Sequence, residues 1–194
     1  MDKELKIAFD FDGVVASPIL DGLLINLRII KEHLMKSIGH RTDYFYPKSR
    51  EERFVWTLLN KLRKPTCDLN CLRSLKSGGG IQTFLITSRF KFLEKDTIEW
   101  LKKYGSENLF DKIYINNTDI SPVDFKVLTL NENLIDHYLD DDIEIIESIN
   151  LKVKTKIYWR SNKKHHHSEI VSCKSICEFI EEIKKLEFSA LWKL

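Results

Sequence analysis

From Gly80 onward the chain alternates between short apolar runs and segments with helical spacing, and this alternation constrains the fold most. The predicted strands are LKIAF near the N-terminus, GIQTFLITSR, FDKIYINN, LIDHYLDDD and VKTKIYWR. The predicted helices are residues 92–104, SPVDFKVLTL, IEIIESI and CKSICEFIEEIKKL. Strands that are separated by helices imply right-handed crossovers and a parallel sheet covered by helices on both faces. The sequence therefore predicts an α/β fold with a doubly wound parallel sheet.

Residues 17 to 77 break this rhythm, and they are predicted to form a small helical unit inserted after the first strand. Ser17-Pro18 starts one helix, Ser49 and Glu52 form a capping box for a second, and Asp68 caps a third. Glycines at positions 78 to 80 end the unit. Residues 1–16 and 78–194 are then predicted to form the α/β core.

The inserted unit is basic, whereas the rest of the chain is acidic. Residues 17–77 contain 12 Lys or Arg and 6 Asp or Glu, a net charge of +6; since the whole chain carries +2, the remainder carries −4. A basic insert above an acidic site would attract an anionic substrate. The alternative is an ordinary solvated basic face.

The composition indicates a soluble globular protein. A length of 194 residues suits one main domain with a small insert, and 43% hydrophobic with 31% charged residues can bury a core. The small net charge gives no reason to expect nucleic acid as a partner. The N-terminus, MDKELKI, does not look like a signal peptide, and no apolar run approaches the length of a membrane span. We therefore expect a cytoplasmic protein that does not bind membranes.

The stretch DFDGVV, Asp10 to Val15, follows the first predicted strand and carries the first candidate site residues. Successive side chains on a strand point to opposite faces, so Asp10 and Asp12 are expected on the same side. Gly13 allows the sharp turn that follows. Clustered carboxylates repel one another, and Mg²⁺ relieves that repulsion. The alternative is an acidic pair that merely opens a loop.

Further polar residues end two other predicted strands. Thr87 and Ser88 follow one strand, and Asp140 and Asp141 follow another. Ligands of an open parallel sheet bind outside the carboxyl ends of its strands, so these groups are expected at one edge together with the first pair. Lys126 lies in the second turn of a predicted helix, near its positive end, where a lysine is electrostatically disfavoured. Either Lys126 is a solvated lysine, or it faces a phosphate bound there.

The order and spacing of these residues resemble the haloacid dehalogenase (HAD) superfamily of aspartyl-phosphate phosphohydrolases. Asp10 and Asp12 match its first motif, Thr87 its second, Lys126 its third, and the pair Asp140-Asp141 its fourth. The resemblance covers nearly the whole chain and implies a Rossmann-like HAD core, with the insert as its helical cap. TSR, FDKIYI and the late IYWRSN further resemble the 5′-nucleotidase-like branch, although Arg89-Phe90 stands where many relatives have proline.

The resemblance also implies roles. Asp10 would be the nucleophile and Asp12 the general acid and base. Mg²⁺ would bind the Asp10 carboxylate, the Asp12 carbonyl and a carboxylate of Asp140 or Asp141. Thr87 and Lys126 would hold phosphate oxygens. Ser88 and Arg89 would be additional phosphate or substrate contacts.

A cluster of aromatic and basic residues in the insert is the candidate for substrate selection. Arg41, Tyr44, Phe45 and Tyr46 lie between two predicted helices, where they could stack a base and meet an anion. Core packing of the aromatic rings is the alternative. A nucleoside monophosphate is the first expected substrate, and a sugar phosphate or another small phosphoester is the second. A non-catalytic module that binds phosphate or nucleic-acid ends is a third interpretation.

The four cysteines form two pairs with i, i+4 spacing, Cys67 with Cys71 and Cys173 with Cys177. Each pair could lie on one helix face and contribute to a zinc site, but the spacing is weak evidence for zinc and the two pairs lie far apart in the sequence. Because cysteines are commonly buried as free thiols, half-buried free thiols are expected. The run His165 to His167 is predicted to be a polar loop.

Overall fold

A six-stranded, fully parallel sheet forms the centre of the molecule. The computed structural model describes residues 4–17, 47, 49–77, 79–118, 120–163 and 169–191. The strands of the sheet are β1 (Leu5–Phe9), β4 (Ile81–Thr87), β5 (Lys112–Ile115), β6 (His137–Asp140), β7 (Lys156–Arg160) and β8 (Val171–Cys173). The two short strands β2 (Ala16–Ser17) and β3 (Lys64–Pro65) pair antiparallel. The predicted α/β fold with a doubly wound parallel sheet is confirmed.

The strand order determines where a ligand can bind. The sheet runs β5-β4-β1-β6-β7-β8, so β1 pairs with β4 on one side and with β6 on the other. The chain winds outward in one direction through β4 and β5, and in the other through β6, β7 and β8. In such sheets the crevice at the carboxyl ends of the two central strands is the usual ligand site. Here those strands are β1 and β6.

Six helices are described, and several begin where the sequence predicts. Their bounds are α1 (Arg50–Lys61), α2 (Leu69–Ser77), α3 (Glu94–Lys103), α4 (Pro122–Asn133), α5 (Ile143–Asn150) and α6 (Ile176–Leu191). The capping box at the start of α1 is confirmed: Ser49 Oγ accepts from Glu52 N, and Ser49 N donates to the Glu52 carboxylate. Ser121 caps α4, with Pro122 in the first turn. No helix within these described ranges is both long and apolar enough to cross a membrane.

Alternating side chains on the strands fill two cores, one on each face of the sheet. Phe9 of β1 packs edge-on against Phe179 of α6, and both are fully buried. Ala8, between Ile7 and Phe9 in the sequence, belongs to the core on the opposite face, which α4 and α5 cover. Burying a large apolar side chain contributes roughly 1.5–3 kcal/mol, so the two cores fix the position of β1 and of the residues that follow it.

The cysteines differ from the prediction. Cys71 of α2 and Cys177 of α6 form a disulfide, so the expectation of free thiols is wrong for these two. Cys67 and Cys173 are free, in agreement with it. Disulfides are rare in the reducing cytosol, and the cytoplasmic location remains a prediction.

The remaining predictions concern the edge strand, the inserted unit and the histidine run. Residues 171–173 form the edge strand β8. The sequence analysis did not predict this strand and began the last helix at Cys173. The helix predicted from Ser17-Pro18 and the run His165 to His167 lie outside the described residues. Leu69, Leu72 and Leu75 of α2 are buried in the same core as Phe9. The division into a core and a cap at residues 17–77 stays a prediction.

Candidate active site

A cleft of about 220 Å³ lies at the carboxyl ends of the central strands. It is lined by residues that follow β1, β4 and β6, together with residues from α1, α4 and α5. The lining residues are Asp10, Asp12, Trp56, Asn60, Arg63, Thr87, Ser88, Arg89, Phe90, Leu93, Pro122, Lys126, Asp140, Asp141, Asp142 and Ile145. The cleft therefore coincides with the crevice that the strand order predicts.

A buried ion-pair triad forms the floor of the cleft. Lys126 Nζ lies 2.6 Å from Asp140 Oδ2 and 3.1 Å from Asp10 Oδ1, and the lysine is only 2% exposed. Burial alone would lower the pKa of Lys126, but the carboxylates of Asp10 and Asp140 raise it, so the side chain stays charged. Lys126 is therefore an inward-facing cation and not a solvated lysine.

The surroundings of Asp10 favour its protonated form in the metal-free protein, even though Lys126 lies beside it. Burial raises the pKa of Asp10 well above its ordinary value; Lys126 lowers it, while Asp140, Asp12 and Asp141 raise it further. Asp10 N donates to Leu139 O of the neighbouring strand at 2.9 Å, which fixes the backbone at this point. A bound divalent cation would oppose the shift and favour the ionised carboxylate.

Three carboxylates are close enough to share a metal ion. One oxygen from each of Asp10, Asp140 and Asp141 lies within 4.8 Å of the other two. Asp140 is already well satisfied, since Oδ2 accepts from Lys126 and from Tyr138 Oη, and Oδ1 accepts from Asp142 N. Asp141 is an exposed residue, but its carboxylate lies against Gly13 within the cleft, where desolvation and then the charge of Asp140 raise its pKa to about 7. This oxygen-rich donor set fits Mg²⁺, with Asp141 offering the freer carboxylate.

Asp12 is held by two guanidinium groups. Arg89 Nε donates to Asp12 Oδ2 at 2.9 Å and Arg89 Nη2 to Oδ1 at 2.7 Å, while Arg63 Nη1 lies 2.6 Å from the same Oδ1. Burial opposes the charge of Asp12, but Arg89 and then Arg63 lower its pKa to about 2. The Asp12 carboxylate is therefore ionised at neutral pH.

Arg89 is fully engaged with the protein. Besides Asp12, its Nη1 donates to Thr97 Oγ1 at 3.1 Å and to Asn60 Oδ1. The guanidinium carbon also lies 4.1 Å from the centre of the Phe11 ring. The hydrogen bonds from Arg89 therefore fix the orientation of the Asp12 carboxylate. The substrate contact predicted for Arg89 stays a prediction.

The residues after β4 bring hydroxyl groups to the cleft. Thr87 is buried at the end of the strand, and Ser88 follows it. Within the part of the chain that the structure describes, Ser88 Oγ is a buried polar atom with no hydrogen-bond partner. Such an unpaired hydroxyl costs free energy unless a ligand supplies the missing partner. Ser88 Oγ is therefore available to a bound anion.

The loop after β1 is anchored by a residue at the end of β7, which lies two strands away in the sheet. Arg160, at the end of β7, donates from Nη1 to Gly13 O at 2.8 Å and to Val14 O, and its Nη2 contacts Asp68. Asp68 in turn accepts from Ile176 N at 2.6 Å. The acidic loop is thus held by contacts that reach the start of both α2 and α6.

The structure places Asp10, Asp12, Thr87, Ser88, Arg89, Lys126, Asp140 and Asp141 around this one cleft. Arg41, Tyr44 and Tyr46 lie outside the described residues. The sequence analysis missed Asn60 and Arg63, which reach the cleft from the predicted insert. The basic character of the insert was the only signal for Arg63, and it did not single out that residue.

No family model matches the chain, and no curated protein matches it. The chain does match solved structures, as the following three show. A HAD phosphatase from Thermococcus onnurineus aligns with a TM-score of 0.64 and 14% identity over 92% of this chain and 97% of that one. A putative HAD-hydrolase from Bacillus subtilis, solved with magnesium bound, gives 0.66 and 11% identity over 94% and 100%. A HAD-superfamily hydrolase from Ehrlichia chaffeensis gives 0.56 and 15% over 96% and 98%. The chain therefore has the fold of the HAD-superfamily hydrolases.

Proposed function

We propose that this chain is a magnesium-dependent phosphomonoesterase that works through an aspartyl-phosphate on Asp10. The observation that carries the proposal is the meeting of a buried carboxylate, Asp10, with the buried cation Lys126 and the unpaired hydroxyl of Ser88 in one cleft. A phosphate group needs such donors, and a nucleophile must lie next to them. The magnesium bound to a structural neighbour supports a metal at the carboxylate cluster.

The reaction has two steps. An oxygen of the Asp10 carboxylate attacks phosphorus, the bond from phosphorus to the alcohol oxygen breaks, and the alcohol leaves with a proton. Water then attacks the phosphorus of the acyl phosphate, which releases inorganic phosphate and restores the carboxylate. Lys126, Thr87 and Ser88 hold phosphate oxygens. Asp12, ionised before the reaction, takes up a proton from the substrate monoanion or from solvent and passes it to the alcohol oxygen; in the second step it takes a proton from the attacking water. Mg²⁺ would be held by Asp10, the Asp12 carbonyl and Asp141, and supplies charge neutralisation for the phosphoryl group.

A nucleoside monophosphate is the leading substrate within this function, as in the 5′-nucleotidase-like branch. This choice depends on the sequence resemblance and on Arg41, Tyr44 and Tyr46, which lie outside the described residues. A sugar phosphate is the alternative.

Release of inorganic phosphate from nucleoside monophosphates, sugar phosphates and p-nitrophenyl phosphate tests the proposal. We expect release that requires Mg²⁺, stops with a chelator and is lost in Asp10→Asn. Glu132→Gln is the control, since it removes an exposed carboxylate near the far end of α4. Release that survives thorough chelation would contradict the metal. Phosphate binding without release from any substrate would instead favour a non-catalytic module.

A further inference from the structure

Arg63 is a cation of the cleft to which the proposed reaction assigns no contact with the substrate, although it helps to keep Asp12 ionised. It lies between α1 and β3, in the predicted insert, and its side chain is 17% exposed. Its backbone is fixed against the core, since Trp100 Nε1 of α3 donates to Arg63 O at 3.0 Å. Arg63 therefore points into the cleft from a defined position, not from a loose surface loop.

The other two cations of the cleft are already committed. Lys126 forms ion pairs with Asp10 and Asp140. Arg89 donates hydrogen bonds to Asp12, Asn60 and Thr97. Arg63 makes one side-chain contact among the described residues, from Nη1 to Asp12 Oδ1. A guanidinium has five N–H donors, so most of its donors are left for a ligand.

The contact with Asp12 also shows which side of a substrate Arg63 would meet. In the proposed reaction Asp12 exchanges a proton with the oxygen of the leaving alcohol. A cation that shares an oxygen of Asp12 must then lie on the leaving-group side, within a few bonds of the ester. If Arg63 turned toward a ligand, Asp12 would keep its two bonds to Arg89.

The charge of the cleft makes this position selective. Five carboxylates line it, against Arg63, Arg89 and Lys126. The proposed Mg²⁺ would offset much of this negative charge, so a second negative group on a substrate gains a favourable contact only where a cation with open donors lies beside it. A planar guanidinium matches a carboxylate or phosphate through two parallel hydrogen bonds.

Building on the phosphomonoesterase function proposed above, we infer that Arg63 binds a second anionic group on the substrate's leaving alcohol. The substrate class is then a small phosphomonoester with a carboxylate or a second phosphate close to the ester oxygen. A neutral alcohol of the same size would lack this contact. Arg63 is thus a specificity-determining residue supplied by the insert.

Binding of unreactive ligands tests this without turnover. Phosphonoacetate carries a phosphonate and a carboxylate, and phosphonoacetamide replaces the carboxylate with a neutral group of the same shape. Calorimetry at fixed free Mg²⁺ should show tighter binding of phosphonoacetate to the full chain. Arg63→Gln should weaken phosphonoacetate about tenfold or more, as for a lost charge-assisted bond, and phosphonoacetamide less than about twofold.

Two variants guard the interpretation. Lys61→Gln removes the same charge from an exposed position on the same insert. It should leave the affinities for phosphonoacetate and phosphonoacetamide unchanged. Arg63→Lys keeps the charge without the planar fork and should fall between wild type and Arg63→Gln. If Arg63→Gln fails to fold, two measurements still test the role of Arg63. They are the preference of the wild type for phosphonoacetate over phosphonoacetamide and the reduction of that preference in Arg63→Lys. A third ligand, ethane-1,2-bisphosphonate, identifies whether a carboxylate or a second phosphate fits better.

The outcomes separate this role from the proposed function. Equal affinity for both ligands in wild type, or parallel losses in Arg63→Gln, would overturn the role of Arg63 even if the chain releases phosphate. A preference for phosphonoacetate that depends on Arg63 would support it, even if no phosphoester were hydrolysed and the phosphatase proposal failed.

Discussion

A Cβ atom at Gly13 would lie 1.8 Å from Oδ2 of Asp141. The Asp141 carboxylate thus occupies the space that a Cβ at position 13 would take, and it would have to move for any residue other than glycine. Gly13 also has a φ of +73°, where side chains with a Cβ are strained by roughly 1–2 kcal/mol. We predict that Gly13→Ala loses stability and also displaces Asp141, so that Mg²⁺ affinity falls by about tenfold or more.

The chain contains a matched control for this substitution. Gly105 has a φ of +58°, but a Cβ there would meet nothing within 4 Å. Gly105→Ala should therefore lose a similar amount of stability and keep its Mg²⁺ affinity. Thermal unfolding and Mg²⁺ titration of both variants separate backbone strain from the clash. Wild-type Mg²⁺ affinity in Gly13→Ala would mean that Asp141 does not bind the metal.

Metal binding should depend on pH through Asp141. Because its pKa is raised to about 7 in the metal-free protein, Mg²⁺ must displace a proton below that pH. We predict that Mg²⁺ affinity rises with pH through about 7, and the raised pKa of Asp10, the other proposed ligand, adds to this rise. Calorimetry between about pH 6 and about pH 8 measures this, and Asp141→Asn should weaken both the affinity and its pH dependence. A flat profile in wild type would contradict the prediction.

The same shift has the opposite effect on stability without metal. A carboxyl whose folded pKa is raised holds its proton more tightly in the folded state than in the unfolded state. Stability of the metal-free protein from this group is therefore highest below about pH 4 and declines as pH rises through about 7. Asp12 behaves in the reverse sense, since its pKa is lowered to about 2: its contribution is present above about pH 4 and is lost as pH falls through about 2.

Asp12 should matter more for the second chemical step than for the first when the leaving group is good. Arg89 and Arg63 keep it ionised, which suits a base that activates water. We predict that Asp12→Asn slows hydrolysis of the phosphoenzyme by about a hundred- to ten-thousandfold, but affects phosphoryl transfer from p-nitrophenyl phosphate much less. Rapid-quench measurements should then show a burst of p-nitrophenol. Absence of a burst, with turnover slowed, would place the loss in the first step.

The sequence analysis predicted the fold and most of the cleft because both depend on local patterns. The strand β1 is an apolar run with a clear end, and Asp10 and Asp12 follow it directly. Lys126 was identifiable because its place near a helix start is electrostatically unusual. In each case the relevant signal lies within a few residues of the one predicted.

What the sequence analysis missed depends on contacts between distant segments. Arg63 is one of many basic residues in the insert, and only the folded chain brings it to Asp12. The strand β8 has three residues and ends two residues before α6 begins, so its alternation is too short to recognise in the sequence. The i, i+4 spacing could place Cys67 and Cys71 on one helix face, and free thiols were expected, whereas Cys71 forms a disulfide across the fold with Cys177.

That disulfide leads to the last prediction. It joins α2 to α6 across a sequence separation of 106, and closing so long a loop restricts the unfolded chain. We predict that Cys71→Ser with Cys177→Ser lowers the free energy of unfolding by about 2–4 kcal/mol under oxidising conditions. The difference from wild type should disappear when both are reduced. Cys67→Ser is the control, since Cys67 is free and exposed and should have little effect. Urea unfolding measures the stabilities, and peptide mapping without reduction identifies the bond. If mapping finds both thiols free after air oxidation, or if reduction leaves the stability of wild type unchanged, then the link between α2 and α6 rests on Leu69, Leu72 and Leu75 and not on the disulfide.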